Sequence, residues 1–217
     1  SDVVGFTTLS EQMEAEDLSN FLNFYLTNMC DIALKYGGTI DKFIGDSVMV
    51  FFGDPDTKGA QEDAIACCSM ALEMLNFLES NQQHFQEMYN FPEKLEIRIG
   101  IHNGLCNVGN FGSAQRLDYT AIGRAVNVAS RLEQAAPKNS ILVSSAVRNL
   151  IKNHFETSSP IEVKAKGIEK PIASYVLTRQ EASNTKVIKE LDGLKLEYDP
   201  RKIDKKKLLK IIDELEN

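Results

Sequence analysis

No apolar run in this chain approaches the roughly 20 residues that a membrane-spanning helix needs, and no secretory signal pattern opens it. The expectation is a soluble, cytoplasmic segment, with any membrane attachment carried by sequence upstream. Cysteine is scarce: Cys30, Cys67, Cys68 and Cys106 form no Cys-x-x-Cys pair, and Cys67 and Cys68 adjoin in an Ala-rich run of helical character. That usage fits a reduced compartment rather than a disulfide framework. The three histidines, His84, His102 and His154, are too dispersed for a zinc site of short ligand spacing and read as surface or structural residues. Positive charge is not in excess either. With 24 Lys and Arg against 31 Asp and Glu, a net charge of −7 and a pI near 5.1, the chain is a poor general nucleic-acid binder, although a local basic pocket is still allowed.

What is present suits one well-formed core: 217 residues, 43% hydrophobic and 25% charged. Leu18, Phe21, Leu22, Tyr25, Leu26, Met29, Ile32 and Ala33 recur at helical spacing until Gly37 and Gly38 stop the pattern. A second helical stretch runs from about Gln61 to Leu78, with Ala64, Ile65, Cys68, Ala71, Leu72, Leu75 and Leu78 on one face. Leu95, Ile97, Ile99 and Ile101 alternate with Glu96, Arg98 and Gly100, which predicts a strand turning near Asn103-Gly104 into Cys106-Asn107-Val108-Gly109. After about Arg179 the composition changes. Residues 181–186 read as a polar linker, Leu194–Tyr198 as a short strand and residues 204–215 as an amphipathic helix of no evident role.

The richest stretch is Gly37 to Phe52, which reads as two strands around a Gly45-Asp46 turn. Ile40, Lys42 and Ile44 alternate on the first strand, and an apolar run from Val48 to Phe52 forms the second, so at least one face should be buried. Asp46 at such a tip is a candidate metal ligand. Asp2, which ends an apolar segment before Gly5-Phe6-Thr7, is a second, and two carboxylates from separate strands can share divalent ions. Read alone, Asp2 is as well explained as a cap and Asp46 as a turn residue tolerant of unusual dihedrals. On a third helix, Asn127 and Arg131 stand four residues apart and therefore share a face, with Val128 and Leu132 as the adjoining apolar stripe and Pro137 ending the segment.

These segments, with Tyr119-Thr120-Ala121-Ile122-Gly123-Arg124 and Val163-Lys164-Ala165-Lys166-Gly167, stand in an order and spacing that resembles the catalytic domain of class III nucleotide cyclases over residues 1 to about 179. The resemblance implies an α+β fold: a ferredoxin-like βαββαβ sandwich with an antiparallel-rich sheet, a truncated first strand that should begin ahead of Ser1, and an added helix, strand-helix pair and closing hairpin. It implies intramolecular phosphoryl transfer, in which the ribose 3′-hydroxyl of a nucleoside triphosphate attacks its own α-phosphate and pyrophosphate leaves. Asp2, Asp46 and the Val3 carbonyl oxygen are then ligands of two divalent ions. Oxygen-only ligation favours Mg²⁺ or Mn²⁺. Gly5, Phe6 and Thr7 would offer backbone N–H groups to phosphates, Asn127 would orient the ribose, Arg131 would stabilise the pentavalent phosphorus, and Lys164, rather than its neighbour Lys166, would pair with the terminal phosphates.

In this family the two sets of groups reach one substrate from opposite subunits, so the resemblance implies a homodimer with shared sites and, commonly, an upstream regulatory domain. It also places Lys42 and Thr120 against the purine. An ammonium only donates, which suits adenine N1 and opposes guanine N1–H, so the expected reaction is ATP to 3′,5′-cyclic AMP. A hydroxyl can donate or accept, and Thr120 by itself discriminates less. The threonine resembles a subclass with bicarbonate-responsive members, for which Arg116 is a candidate anion contact. A guanylate cyclase and an inactive cyclase-like dimerisation domain are the alternatives; Lys42 argues against the first, and the presence of both Asp residues and Arg131 against the second.

Overall fold

The computed structural model describes residues 1–89, 91, 94–163, 171–178, 187–191 and 194–198. Two compact units divide after residue 179. In the first, β1 (Asp2–Val3) is followed by α1 (Phe6–Gln12), α2 (Ala15–Lys35), the hairpin β2 (Thr39–Ile44) and β3 (Ser47–Phe51), α3 (Ala60–Ser80), α4 (Gln82–Tyr89) and β4 (Ile97–Ile101). Then come β5 (Asn107–Ser113), β6 (Arg116–Ile122), α5 (Arg124–Ala135), β7 (Ser140–Ser144), α6 (Ser145–Ile151), β8 (Ile161–Val163) and β9 (Ile172–Val176).

β1 pairs antiparallel with β4, β4 parallel with β7, and β9 antiparallel with both β7 and β8, giving a sheet ordered β1-β4-β7-β9-β8. Ser1 and Val48 exchange two backbone hydrogen bonds, the Val48 N–H to the Ser1 oxygen at 3.0 Å and the Ser1 nitrogen to the Val48 oxygen at 2.9 Å. They seat β3 beside β1, so the run β2-β3-β1-β4 has the strand order of a ferredoxin-like sandwich. The expected strand-helix pair is β7–α6, and the closing hairpin is β8–β9.

One face of the sheet carries the main core. Phe21, Tyr25 and Met29 of α2, Cys68, Ala71 and Met74 of α3, and Ile97, Ile99, Ile141 and Val143 of the sheet meet there. α4, which the apolar periodicity does not announce, delivers Phe85 against Phe21. On α3 the buried stripe includes Met70 and Met74, while Ile65, Leu72 and Leu75 lie partly buried at its flank. The opposite sheet face is covered by α5 through Val128 and Leu132, which meet Leu142 and Val163. Strand alternation sorts β7 between the two cores: Ile141 and Val143 face one, Leu142 the other.

α5 lies unusually close to β4. A Cβ on Gly100 would stand 2.2 Å from the Glu133 nitrogen and 2.3 Å from the Ala129 oxygen, so only glycine admits the helix backbone at that point.

One sequence expectation is corrected here. β4 does not turn back into residues 106–109; both its edges are taken, by β1 and β7, and Asn107–Ser113 pairs instead with Arg116–Ile122, Asn107 opposite Ile122. As expected, the β2–β3 hairpin buries one face, with Val48, Val50 and Ile40 packed on the core. Phe43 and Ile44 at the tip are exposed. In the second unit β10 (Val187–Leu191) pairs antiparallel with β11 (Leu194–Tyr198), the latter being the expected short strand. Residues 181–186 and the expected helix 204–215 lie outside the described residues.

Gly100→Ala should lower stability by about 3 kcal/mol, since backbone rather than a flexible side chain must yield. Thermal unfolding should show a Tm lowered by roughly 6–12 °C; a variant as stable as the parent would mean that α5 can lift off the sheet without cost.

Candidate active site

Asp2 and Asp46 come from different elements and are brought together by backbone geometry. Gly45, at φ 64°, makes the β2–β3 turn that aims Asp46 back at β1. Its Oδ2 accepts the Val3 N–H at 2.8 Å, in a buried position. Asp2, half-buried on β1, accepts from the Ser47 hydroxyl at 2.6 Å through Oδ1 and from Arg98 Nη2 at 3.1 Å through Oδ2. Burial pushes the Asp46 carboxyl above the ordinary carboxylate range; the Val3 N–H opposes the rise, and the neighbouring Asp2 carboxylate adds to it.

Two hydrogen-bonded carboxylates whose mutual repulsion favours protonation form a donor set that a hard, oxygen-seeking cation would relieve. Among the described residues no group of three or more His, Cys, Asp and Glu side chains assembles as an ion site. The pair therefore fits an ion that takes its remaining ligands elsewhere, as Mg²⁺ does with substrate phosphates.

Arg98 is a site residue that the sequence pattern hid, because it reads simply as the polar position of an alternating strand. It stands directly opposite Asp2 in the β1–β4 register, and its Nη1 donates to the Gln134 carbonyl on α5 at 3.2 Å. Its Nε lies 3.8 Å from Glu133 Oε1, and neither atom has a hydrogen-bond partner. Burial raises the Glu133 carboxyl, and Asp2 raises it further.

Asn127 is exposed, and Arg131 is half-buried one turn further along α5, beside the buried Val128–Leu132 stripe, as the spacing implies. The Gln134 carboxamide oxygen accepts from Arg131 Nη1 at 2.9 Å. Gly5, at φ 72°, caps α1, and the N–H groups of the first turn have no intrahelical acceptor; Phe6 turns its ring inward against Phe21. Lys164 and Lys166 lie outside the described residues. Arg116 sits at the tip of the β5–β6 hairpin, exposed and 3.5 Å from the Asp118 carboxylate, four residues along the strand from Thr120.

Lys42 and Thr120, 78 residues apart in sequence, meet directly: Lys42 Nζ donates to Thr120 Oγ1 at 2.8 Å. Between them sits Asp41, another residue the sequence reading passed over. Its side chain is 0% exposed, 3.0 Å from Lys42 Nζ, and accepts from the Ala121 N–H at 2.8 Å and from the Thr120 hydroxyl at 2.8 and 2.9 Å. A β-bulge explains the omission. Ile40 pairs with Val50 and Lys42 with Met49, so Asp41 is the extra residue, and the strict alternation that would turn it away from Lys42 fails.

A ferredoxin-like sheet extended by β7–β9, with paired carboxylates at one strand junction and an Asn/Arg face on the helix that covers the sheet, defines a nucleotide cyclase catalytic domain. The chain belongs to the adenylate and guanylate cyclase catalytic domain family, whose model matches residues 1–179. It is 36% identical over 179 residues to an adenylate cyclase of Anabaena cylindrica, covering 80% of this chain but 35% of that protein's length. Among solved structures it is similar to the adenylyl cyclase CyaB from P. aeruginosa, with a TM-score of 0.81 and 48% identity, covering 83% of this chain and 92% of that one. It is also similar to the guanylyl cyclase Cya2, with a TM-score of 0.77 and 32% identity, covering 84% and 91%. Cyclase domains of this family work with divalent metal ions, and solved members include a dimer and a complex with GTP. Among the described residues, no helix is long and apolar enough to cross a membrane.

Because burial raises the Asp46 carboxyl, a metal competes with its proton to higher pH than at an ordinary carboxylate, so metal affinity should strengthen as pH rises through that raised value. In the metal-free protein the sign reverses: the folded chain binds more protons than the unfolded one between the ordinary and the raised carboxyl values, so stability falls as pH rises through that window. Mn²⁺ titrations at several pH values should show the half-saturating concentration falling with pH in the parent and staying flat in Asp46→Asn. The same pH slope in that variant would place the titrating group elsewhere.

Proposed function

We propose that this domain is an adenylate cyclase, converting ATP to 3′,5′-cyclic AMP and pyrophosphate in a cytoplasmic homodimer with two shared sites. The observation that carries the substrate is the Lys42–Thr120 pair, an ammonium donor 2.8 Å from a hydroxyl oxygen. Lysine against N1 and the hydroxyl against the exocyclic amine match adenine and oppose the edge of guanine. Relatives of both specificities occur, including the guanylyl cyclase Cya2, so the base contacts rather than the family must decide.

Asp2, Asp46 and the Val3 carbonyl oxygen would hold two divalent ions, Mg²⁺ or Mn²⁺. Such ions, when bound, acidify the ribose 3′-hydroxyl and offset phosphate charge. The chain's own residues supply alignment. Asn127 holds the ribose so that O3′ lies in line with the α-phosphorus; the O3′–P bond forms as the bond to pyrophosphate breaks, and the hydroxyl proton passes to solvent. Arg131, released from Gln134, directs its planar donors at the oxygens of the pentavalent centre. Lys164, with Lys166 as the lesser alternative, and the first-turn N–H groups of Gly5, Phe6 and Thr7 face the β- and γ-phosphates.

Two features support assembly of the site from two chains. Among the described residues no hydrogen bond or ion pair joins Asn127 or Arg131 to Asp2 or Asp46 of the same chain. Large apolar side chains are also exposed on both hairpins, Phe43 and Ile44 on one and Leu117, Tyr119 and Ile122 on the other. The chain spans only 35% of the length of the Anabaena cylindrica adenylate cyclase, which supports a further domain in the whole protein, read as an upstream regulatory one. Residues 180–217 are read as a separate unit following the catalytic domain at 1–179. Free cysteines at Cys30, Cys67, Cys68 and Cys106 support a reducing, cytoplasmic location.

Purified domain should use ATP with a kcat/KM about five- to a hundred-and-fifty-fold above that for GTP, the range expected of one buried donor–donor mismatch. Equal values would remove the adenine assignment. Mixing Asp46→Ala chains with Arg131→Ala chains, each inactive alone, should restore activity, because one of the two sites in a heterodimer then carries a full set of groups. A mixture that exchanges subunits and stays inactive would show that the sites are not shared.

A further inference from the structure

A hydroxyl beside a purine is ordinarily an ambiguous contact, able to rotate and serve adenine or guanine. Thr120 is not free in that way. Its oxygen lies 2.8 Å from Lys42 Nζ, which can only donate, and 2.8 and 2.9 Å from the two oxygens of Asp41, which as a carboxylate can only accept. The single hydroxyl proton must therefore point at Asp41. One lone pair takes a Lys42 proton, and the one that remains can only accept. Asp41 in turn cannot swing away: its side chain is wholly buried, and its Oδ2 is fixed by the Ala121 N–H of β6 at 2.8 Å. The bulge between Ile40 and Lys42 places the carboxylate on the same side as the lysine.

We infer that Asp41 is a specificity-determining positioning residue, a buried carboxylate that locks the Thr120 hydroxyl as an obligate acceptor and so makes Thr120 as strict a reader of adenine as Lys42. This rests on the reading of Lys42 and Thr120 as the base-contacting pair. With the lock in place guanine meets two mismatches, its N1–H against the ammonium and its O6 against an oxygen that has no proton to give. Without it the hydroxyl would turn and donate to O6, and the second mismatch would vanish. A buried acid that merely joined the two hairpins would affect both nucleotides alike.

Two isosteric substitutions separate these cases. In Asp41→Asn the amide oxygen keeps the Ala121 N–H while the NH₂ group turns to Thr120 and donates, freeing the hydroxyl proton toward the ligand. The ATP-to-GTP ratio of kcat/KM should fall about tenfold, and the ratio of dissociation constants for 3′-deoxy-ATP and 3′-deoxy-GTP, which lack the attacking hydroxyl, should move in parallel. Thr120→Val tests the lock with Asp41 untouched. A locked acceptor serves only adenine, so its removal should weaken 3′-deoxy-ATP binding and leave or improve that of 3′-deoxy-GTP; a free rotor serves both, and its loss would leave the ratio unchanged. Adding Asp41→Asn to Thr120→Val should shift the ratio no further.

An ATP-to-GTP ratio left unchanged by Thr120→Val overturns the lock and leaves the substrate reading standing. A parent that prefers GTP overturns both. If the parent turns over neither nucleotide, the proposed activity fails while the 3′-deoxy binding ratio still decides the lock.

Discussion

The hydrogen bond from the Val3 N–H to the Asp46 carboxylate is the contact on which the site depends. It is short, buried and made between a strand and the turn of a separate hairpin, and the paired Ser1–Val48 bonds next to it hold that hairpin at the sheet edge. Remove that contact and Asp46 is an exposed turn residue while Asp2 is one acid on an edge strand. With it, Asp46 is held buried beside a second carboxylate: burial first, and the Asp2 charge after it, raise its carboxyl against the lowering effect of the Val3 N–H itself. The cost of that proximity is what a cation would relieve, so the same geometry that destabilises the metal-free chain prepares it to bind.

A comparable tension runs through Arg98. It neutralises Asp2, half-reaches Glu133 and bonds the α5 backbone at Gln134, whose own side chain holds Arg131. One guanidinium thus ties the carboxylate pair to the helix that carries Asn127 and Arg131. Electrostatic balance, helix position and the rotamer of Arg131 are linked through two adjacent residues, Glu133 and Gln134, and neither reacts.

The sequence made the large pieces readable because each has a single strong period. α2 and α3 announce themselves by apolar recurrence and β4 by alternation, and the Asn127/Arg131 face follows from helix geometry alone. What it hid was whatever depends on a partner far along the chain. The pairing of β5 with β6 is one case, since both strands are largely exposed and carry no clean alternation. Arg98 is another, its role set by a register with β1 that only the folded sheet supplies. Asp41 is the clearest: alternation turns it away from Lys42, and one inserted residue brings it back.

The absent side chain at Gly100 has a mechanical meaning. Most helices rest on a sheet through a layer of side chains that can slip or re-pack, whereas α5 touches β4 backbone to backbone at this point. It has no cushion on which to roll. The Asn127 and Arg131 edge therefore moves only as the sheet moves, and a displacement of the sheet reaches that edge undamped.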